Sequence, residues 1–254
     1  MPDTVLVRSR GPVVEVVLNR PDSRNALDRE ILRELLAALT RVVEEPDGRV
    51  IVLHGAGVGF CAGADVRLME RLAEGGEFKV AFLAAVDTFQ QIVYLLATAP
   101  RVTIAAIHGF ALGAGLDLAL ACDLRVAASG TQMATSYVRY GLVPDGGGTW
   151  ALPRLIGLGP AMALLLSGDP VDTEGAYRLG LIHRRARSGR HVGDALAWAE
   201  ELAGRPHAAQ IAIKRLARVD PRLTLSAALK EEREAQRRLL EEGHVARFPP
   251  PGSS

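Results

Sequence analysis

The sequence predicts an α/β fold, with an α/β core over residues 1–190, a helical region over 191–245 and a disordered tail over 246–254. Three observations lead there. Short apolar runs alternate with stretches of helical period up to about residue 185, and such alternation builds a sheet with helices packed on it. Beyond that point the apolar patterns are helical. Within the first regime lies Val102–Asp123, VTIAAIHGFALGAGLDLALACD, an apolar run that breaks at Gly109 and passes through Gly113, Ala114 and Gly115 into a second apolar run. A membrane span needs about 20 apolar residues. His108, Asp117 and the glycines interrupt this stretch, so it reads as strand, turn and helix within a core.

In chain order, Val13–Leu18 (VVEVVL) is a strand, followed by the turn-like NRPDSRN. Asp28–Glu45 carries Ile31, Leu32, Leu35, Leu36, Leu39, Val42 and Val43 at helical spacing, with Asp28 as N-cap and Pro46 beyond its end. Val50–Leu53 is a buried strand running into HGAGVGFCAGAD. A short helix over Val66–Leu72 and a longer one from Glu77 to Ala97 follow, and Pro100 breaks the second. Leu124–Ala127 is the next strand. It leads through SGTQM to SYVRYGLVPDGGGTWALPRLIG, which is rich in breakers. Helices are predicted at Pro160–Leu166, Thr173–Leu179, Gly193–Ala203, His207–Arg218 and Leu223–Glu241. In the last, Glu234 and Arg238 form an i,i+4 pair, and Leu225, Ala228, Leu229, Leu239 and Leu240 suit packing against a second subunit.

Composition narrows the function. The 254 residues are 48% hydrophobic with a formal charge of +1, which offers no broad basic footprint for nucleic acid. MPDTVLVRSR lacks the basic start and apolar stretch of a signal peptide, so a cytoplasmic protein that makes no membrane contact is expected. Cys61 and Cys122 stand in apolar settings and form neither a disulfide framework nor a zinc site. His54, His108 and His183 have no second ligand at metal spacing, so no metal is expected. The glycines at 55, 57 and 59 follow a strand, but Phe60 stands where a dinucleotide loop needs a third small residue. Ser136 lacks the G-x-S-x-G elbow of a hydrolase.

What remains is a pair of small-residue turns, Phe60-Cys-Ala-Gly-Ala-Asp65 and Gly109-Phe-Ala-Leu-Gly-Ala-Gly115, each after a strand. The amides of a first helical turn have no intrahelical partner, and two such donors aimed at one point make an oxyanion hole. Asp117 follows the second turn, and Asp145 lies in Pro144-Asp-Gly-Gly-Gly. Two backbone donors and two carboxylates suit chemistry through an enolate.

At these residues the sequence resembles the enoyl-CoA hydratase/isomerase (crotonase) superfamily. The motifs LNRPDSRNAL, GFCAGADVRLM, AAIHGFALGAGLDLALACD and GLVPDGGGTWALPRLIG stand in order over Val13–Gly180. The resemblance implies a spiral of ββα turns and C-terminal helices that mediate a homotrimer or a dimer of trimers. It also implies an acyl-CoA substrate, with coenzyme A present only as part of the thioester and no permanently bound cofactor. It places the oxyanion amides at Ala64 and Ala114, the latter where the family more often has glycine. It sets Arg24, Ala26 and Leu27, with Ala62, Asp65 and Val66, along the CoA, and lets Arg24 and Arg67 meet its phosphates.

Departures from the pattern carry the functional expectation. Hydratases of the family use two glutamates; here the positions hold Asp117 and Tyr137. Aspartate is about 1.5 Å shorter in reach, and a phenol with a reference pKa near 10 is a poor base. Asp145 compensates, since double-bond isomerases resemble this chain in carrying an acid there, and PDGGGTW looks most like the isomerases of aromatic-acid catabolism. Aryl-CoA dehalogenases use an aspartate at that place with a histidine that would fall near Gln90. The expected function is an enoyl-CoA double-bond isomerase with Asp145 as base, Asp117 assisting and Tyr137 bonding or shaping the pocket. A hydratase with an altered catalytic pair and a non-catalytic acyl-CoA-binding subunit are the alternatives.

Overall fold

A computed structural model describes residues 3–45, 47–68, 70, 78–218 and 224–244. Its centre is a six-stranded sheet of β1 (Val5–Arg10), β2 (Val13–Leu18), β3 (Val50–Gly55), β4 (Val102–Ile107), β6 (Leu124–Ala128) and β9 (Arg184–Ala186), in that order. β1 and β2 form an antiparallel hairpin; the remaining pairs are parallel. Both faces of the inner strands are covered, which is why β2, β3 and β4 are buried throughout and read as continuous apolar runs. A second sheet of β5 (Phe110–Leu112), β7 (Gln132–Ala134) and β8 (Val171–Asp172) stands beside it.

One face of the large sheet packs on α1 (Arg29–Glu44) and α2 (Phe78–Thr98) and on the helices near the site, in a core built from Val16, Leu18, Ile31, Leu35, Leu39, Leu53 and Ile92. The Asp28 side chain caps α1 by accepting from the Glu30 and Ile31 amides at 2.9 and 3.0 Å. The other face carries α7 (His191–Ala203). Ala195, Ala199 and Ala203, spaced one turn apart, let this helix lie close against Val50, Val52, Ile104 and Val126. Packing of the main sheet therefore continues across the expected boundary at residues 190 and 191. α8 (His207–Ala217) and α9 (Leu225–Glu241) follow; α9 buries Ala235 and leaves Leu225, Leu229 and Leu240 exposed.

The long apolar helix α2 passes the length and composition test for a membrane span. Its Phe89, Ile92 and Leu96 nevertheless point into the core. Other differences from the sequence reading have local causes. β1 ends in Arg8 and Arg10, polar enough to hide a strand, yet both arginines pair with the buried Glu15 across the hairpin. The breaker-rich segment contains a helix, α4 (Gly148–Ile156), despite Pro153 inside it. α5 (Leu158–Ser167) and α6 (Thr173–Leu179) follow it. The predicted helix over Val66–Leu72 is seen at 66–68 and 70, and the rest of it lies outside the described residues. So do the predicted helix starts at Glu77 and Leu223 and the tail over 246–254.

Candidate active site

The parallel strands β3 and β4 both end at one edge, and the chain turns there twice. After β3, Phe60 and Cys61 run alongside Phe110–Leu112. The Cys61 amide donates to the Phe110 carbonyl at 3.2 Å and the Leu112 amide to the Cys61 carbonyl at 3.0 Å. Ala64 forms an isolated parallel bridge with Leu27. The bonds of that bridge are made by its neighbours: Leu27 N–H donates to Gly63 O at 2.7 Å, and Asp65 N–H donates to Leu27 O at 3.0 Å. The Ala64 N–H therefore points away from Leu27, with no backbone partner among the described residues. Ala114 opens α3 (Ala114–Ala121), so its amide has no carbonyl of the same helix to reach. A methyl group built on Gly63 would lie 2.5 Å from the Leu112 carbonyl oxygen and 3.5 Å from the Ala114 nitrogen. The two turns touch, and only glycine allows it.

The first turn is braced by residues the sequence reading passed over. Asn25 is fully buried, and its side-chain amide donates to the carbonyls of Ala56, Gly59 and Phe60 at 2.8, 2.9 and 3.2 Å. It holds φ +53, beside Arg24 at +54, a left-handed pair that asparagine tolerates better than most residues. Arg20 donates to the Ala26 carbonyl at 2.6 Å and pairs with Asp28 at 2.9 Å. The buried Cys61 thiol donates to the Asn25 carbonyl at 3.1 Å, and burial pushes that thiol up to about 12, so it stays neutral. One signal was available: an Arg-Asn pair right after Pro-Asp-Ser marks a turn in which an asparagine side chain bonds the backbone.

The second turn meets a cluster of acids. Tyr137, on a 3-10 turn over Ser136–Tyr140, lies with its ring about 4 Å from where a Cβ on Gly113 would be. Its hydroxyl reaches Asp117 Oδ2 at 2.8 Å and Asp145 Oδ1 at 3.1 Å. The Gly146 amide donates to Asp117 Oδ2 at 3.2 Å, while Asp117 Oδ1 is buried without a hydrogen-bond partner. Burial, above all, pushes the Asp117 carboxyl up to about 7; the Tyr137 hydrogen bond and the backbone amides of Gly146 and Gly148 oppose this, and the charge of Asp145 adds to it. Burial also raises Asp145 above the usual carboxylate range, against the Tyr137 hydrogen bond. The same surroundings push the Tyr137 phenol far up, so it acts only as a neutral hydroxyl.

The glycines after Asp145 have a physical reason. A Cβ on Gly148 would lie 2.4 Å from Asp117 Oδ1, and one on Gly146 would lie 2.3 Å from the Phe89 ring. The loop can close on the acids only without side chains there. Gln90 on α2 then donates to the Asp145 carbonyl at 3.0 Å, so the position expected of a dehalogenase histidine instead pins the acid loop. This arrangement can polarise a carbonyl from two amides and move a proton beside it with a raised carboxyl.

Residues 8–247 match the family model described as Enoyl-CoA hydratase/isomerase.

The chain belongs to the enoyl-CoA hydratase/isomerase family.

YhaR of Bacillus subtilis strain 168, which bears the family's hydratase/isomerase name, is 35% identical over 233 residues, 90% of this chain and 88% of YhaR. A crotonyl-CoA hydratase of Syntrophomonas wolfei is 34% identical over 185 residues, 72% of this chain and 68% of that one. The crystal structure of an enoyl-CoA hydratase from Polaromonas sp. JS666 superposes with TM-score 0.89 at 33% identity, covering 94% of this chain and 92% of that one. The fold is thus that of the crotonase superfamily.

Within this family member the candidate residues fall into two groups. Ala64, Ala114, Asp117, Tyr137 and Asp145 gather around the two turns. Arg24, Ala62, Asp65, Val66 and Arg67 lie along the first turn, where the Ala62 amide donates to the Arg24 carbonyl at 3.1 Å. Arg24, Val66 and Arg67 are exposed, whereas Ala26 and Leu27 are buried and offer backbone alone. Asp65 caps the helix that follows, accepting from the Leu68 amide at 3.1 Å. Phe89 and Leu116, close to these turns, are buried in the main core. His54 faces Glu15 at 3.5 Å, His108 stacks on His191, and His183 accepts from the Arg125 amide at 3.1 Å.

Proposed function

We propose that the chain is a CoA-dependent enoyl-CoA double-bond isomerase. The thioester oxygen sits between the amides of Ala64 and Ala114. Asp145 removes a proton from the acyl chain, the C–H electron pair passes into the thioester enolate, and the proton returns at another carbon. One observation carries this reading: the raised, half-buried Asp145 stands against Tyr137 and Asp117, where a two-glutamate hydratase would have its pair. A single oxyanion donor contributes about 3–4 kcal/mol in acyl-transfer enzymes, and a positioned base about 10²–10⁴ in rate. Arg24 and Arg67 meet the phosphates of CoA, while the backbone of Ala26, Leu27, Ala62, Asp65 and Val66 follows its length. Coenzyme A enters as part of the substrate and no resident cofactor is required. The exposed leucines of α9 pair copies of the chain into a trimer or a dimer of trimers.

Water addition is the second reading, favoured by relatives whose names say hydratase. Product analysis by mass spectrometry and NMR over 3-enoyl-, dienoyl- and aryl-CoA thioesters, with crotonyl-CoA in water alongside, separates the two. Migration of the double bond without a gain of water supports the isomerase. Rapid hydration with no migration overturns it.

A further inference from the structure

The Tyr137 oxygen carries one proton and touches two carboxylates. If both carboxylates were ionised, that proton would serve one of the contacts at 2.8 and 3.1 Å, and the other would set a lone pair against an anion. A buried polar contact of that kind is costly. One added proton resolves both contacts. No cation stands against the pair among the described residues: the titratable groups that act on Asp117 are Tyr137 and Asp145, and Tyr137 is the one that acts on Asp145. The neighbouring elements contribute the amide of Gly146, the ring of Phe89 on α2 and the backbone of Gly148 on α4.

Burial decides where the added proton rests. Asp117 is fully buried, and its Oδ1 makes no well-formed hydrogen bond, with the backbone amide of Gly148 the one donor near the carboxyl besides Gly146 and Tyr137, whereas Asp145 is only half-buried. An orphaned oxygen is far cheaper in a neutral carboxyl than in a carboxylate. We propose that Asp117, Tyr137 and Asp145 form one proton-sharing unit that, at neutral pH, holds an extra proton on Asp117 and can pass it through the Tyr137 hydroxyl to Asp145. The passage is a double transfer. The Asp117 Oδ2–H bond breaks as a bond to the Tyr137 oxygen forms, the original phenolic proton moves to Asp145 Oδ1, and the negative charge moves from Asp145 to Asp117.

The unit thus presents either a base or an acid at the same Asp145 oxygen without exchanging a proton with solvent. This gives Tyr137 a positioning and relay role, and it rests on the isomerase reading for its use, though not for its existence. Two carboxylates joined in this way titrate as a pair.

The test needs no substrate. The full-length protein is labelled with carbon-13 at the aspartate carboxyl carbons, and infrared spectra and NMR titrations are recorded between pH 5 and 9. The expected result is a protonated-carboxyl band at pH 7 that Asp117→Asn abolishes, with the carbons of Asp117 and Asp145 each moving through the same two steps. Tyr137→Phe should shift that band and separate the two titrations. A wild type with no protonated carboxyl at pH 7, or with two independent titrations, overturns the proposal without recourse to any variant. A shared titration in a protein that moves no double bond leaves the unit standing and removes the isomerase; independent titrations in an active isomerase do the reverse.

Discussion

The Gln90 side chain donates to the Asp145 carbonyl at 3.0 Å, tying the long helix α2 to the loop that carries the proposed base. A hydrogen bond of this sort is worth about 0.5–1.5 kcal/mol net. Gln90→Ala should lower kcat for double-bond migration by roughly 2–10-fold while thermal unfolding shifts little, because Gln90 is exposed. Steady-state kinetics with a 3-enoyl-CoA and a melting curve check both halves.

Gly148 tests the close approach. A Cβ there would lie 2.4 Å from Asp117 Oδ1, the end of a fully buried side chain that Tyr137 and the Gly146 amide hold in place. Gly148→Ala should push the loop off the acids and cut turnover by about tenfold or more, the cost of a misplaced catalytic group. A crystal structure of the variant should show Asp145 displaced relative to Tyr137.

Ala114 allows removal of a single amide. It is the first residue of α3, a position at which proline fits a helix because that N–H is unpaired in any case. Ala114→Pro should lower kcat by about 10²–10³ with circular dichroism unchanged. If turnover survives intact, the second oxyanion donor lies elsewhere.

Acid stability is set in part by a buried histidine. His191 stacks on His108 with ring centroids 4.2 Å apart. Burial, aided by His108 and His54, depresses its pKa to about 4 from 6.5. The fold favours the neutral ring, so its stability is full above about pH 6.5 and is lost as pH falls toward 4. Between pH 7.5 and 5, wild type should lose roughly 2 kcal/mol that His191→Phe does not. Urea unfolding at the two pH values measures the difference.

Much of this architecture was legible because burial wrote it into the apolar pattern. The strands β2, β3 and β4 are covered on both faces, and Asp28 caps α1 as its place before a helical period implied. The edge strands β1, β5, β8 and β9 and the short inner strand β7 were not legible, since they are short or polar and owe their form to a partner elsewhere in the chain. The helix α4 hid behind glycines and a proline whose reason is tertiary: the glycines make room for Asp117 and Phe89. The candidate site residues could be named from the motifs. The Tyr137 hydroxyl between two carboxylates, the Asn25 brace and the Gln90 tether are contacts between distant residues, and no periodicity reports them.

In the proposed reaction Asp145 carries the proton. Asp145→Asn keeps the size and polarity of the side chain and removes the base, so migration of the double bond in a 3-enoyl-CoA should fall by about 10²–10⁴, with binding of the thioester retained. Unchanged turnover in that variant would contradict the account.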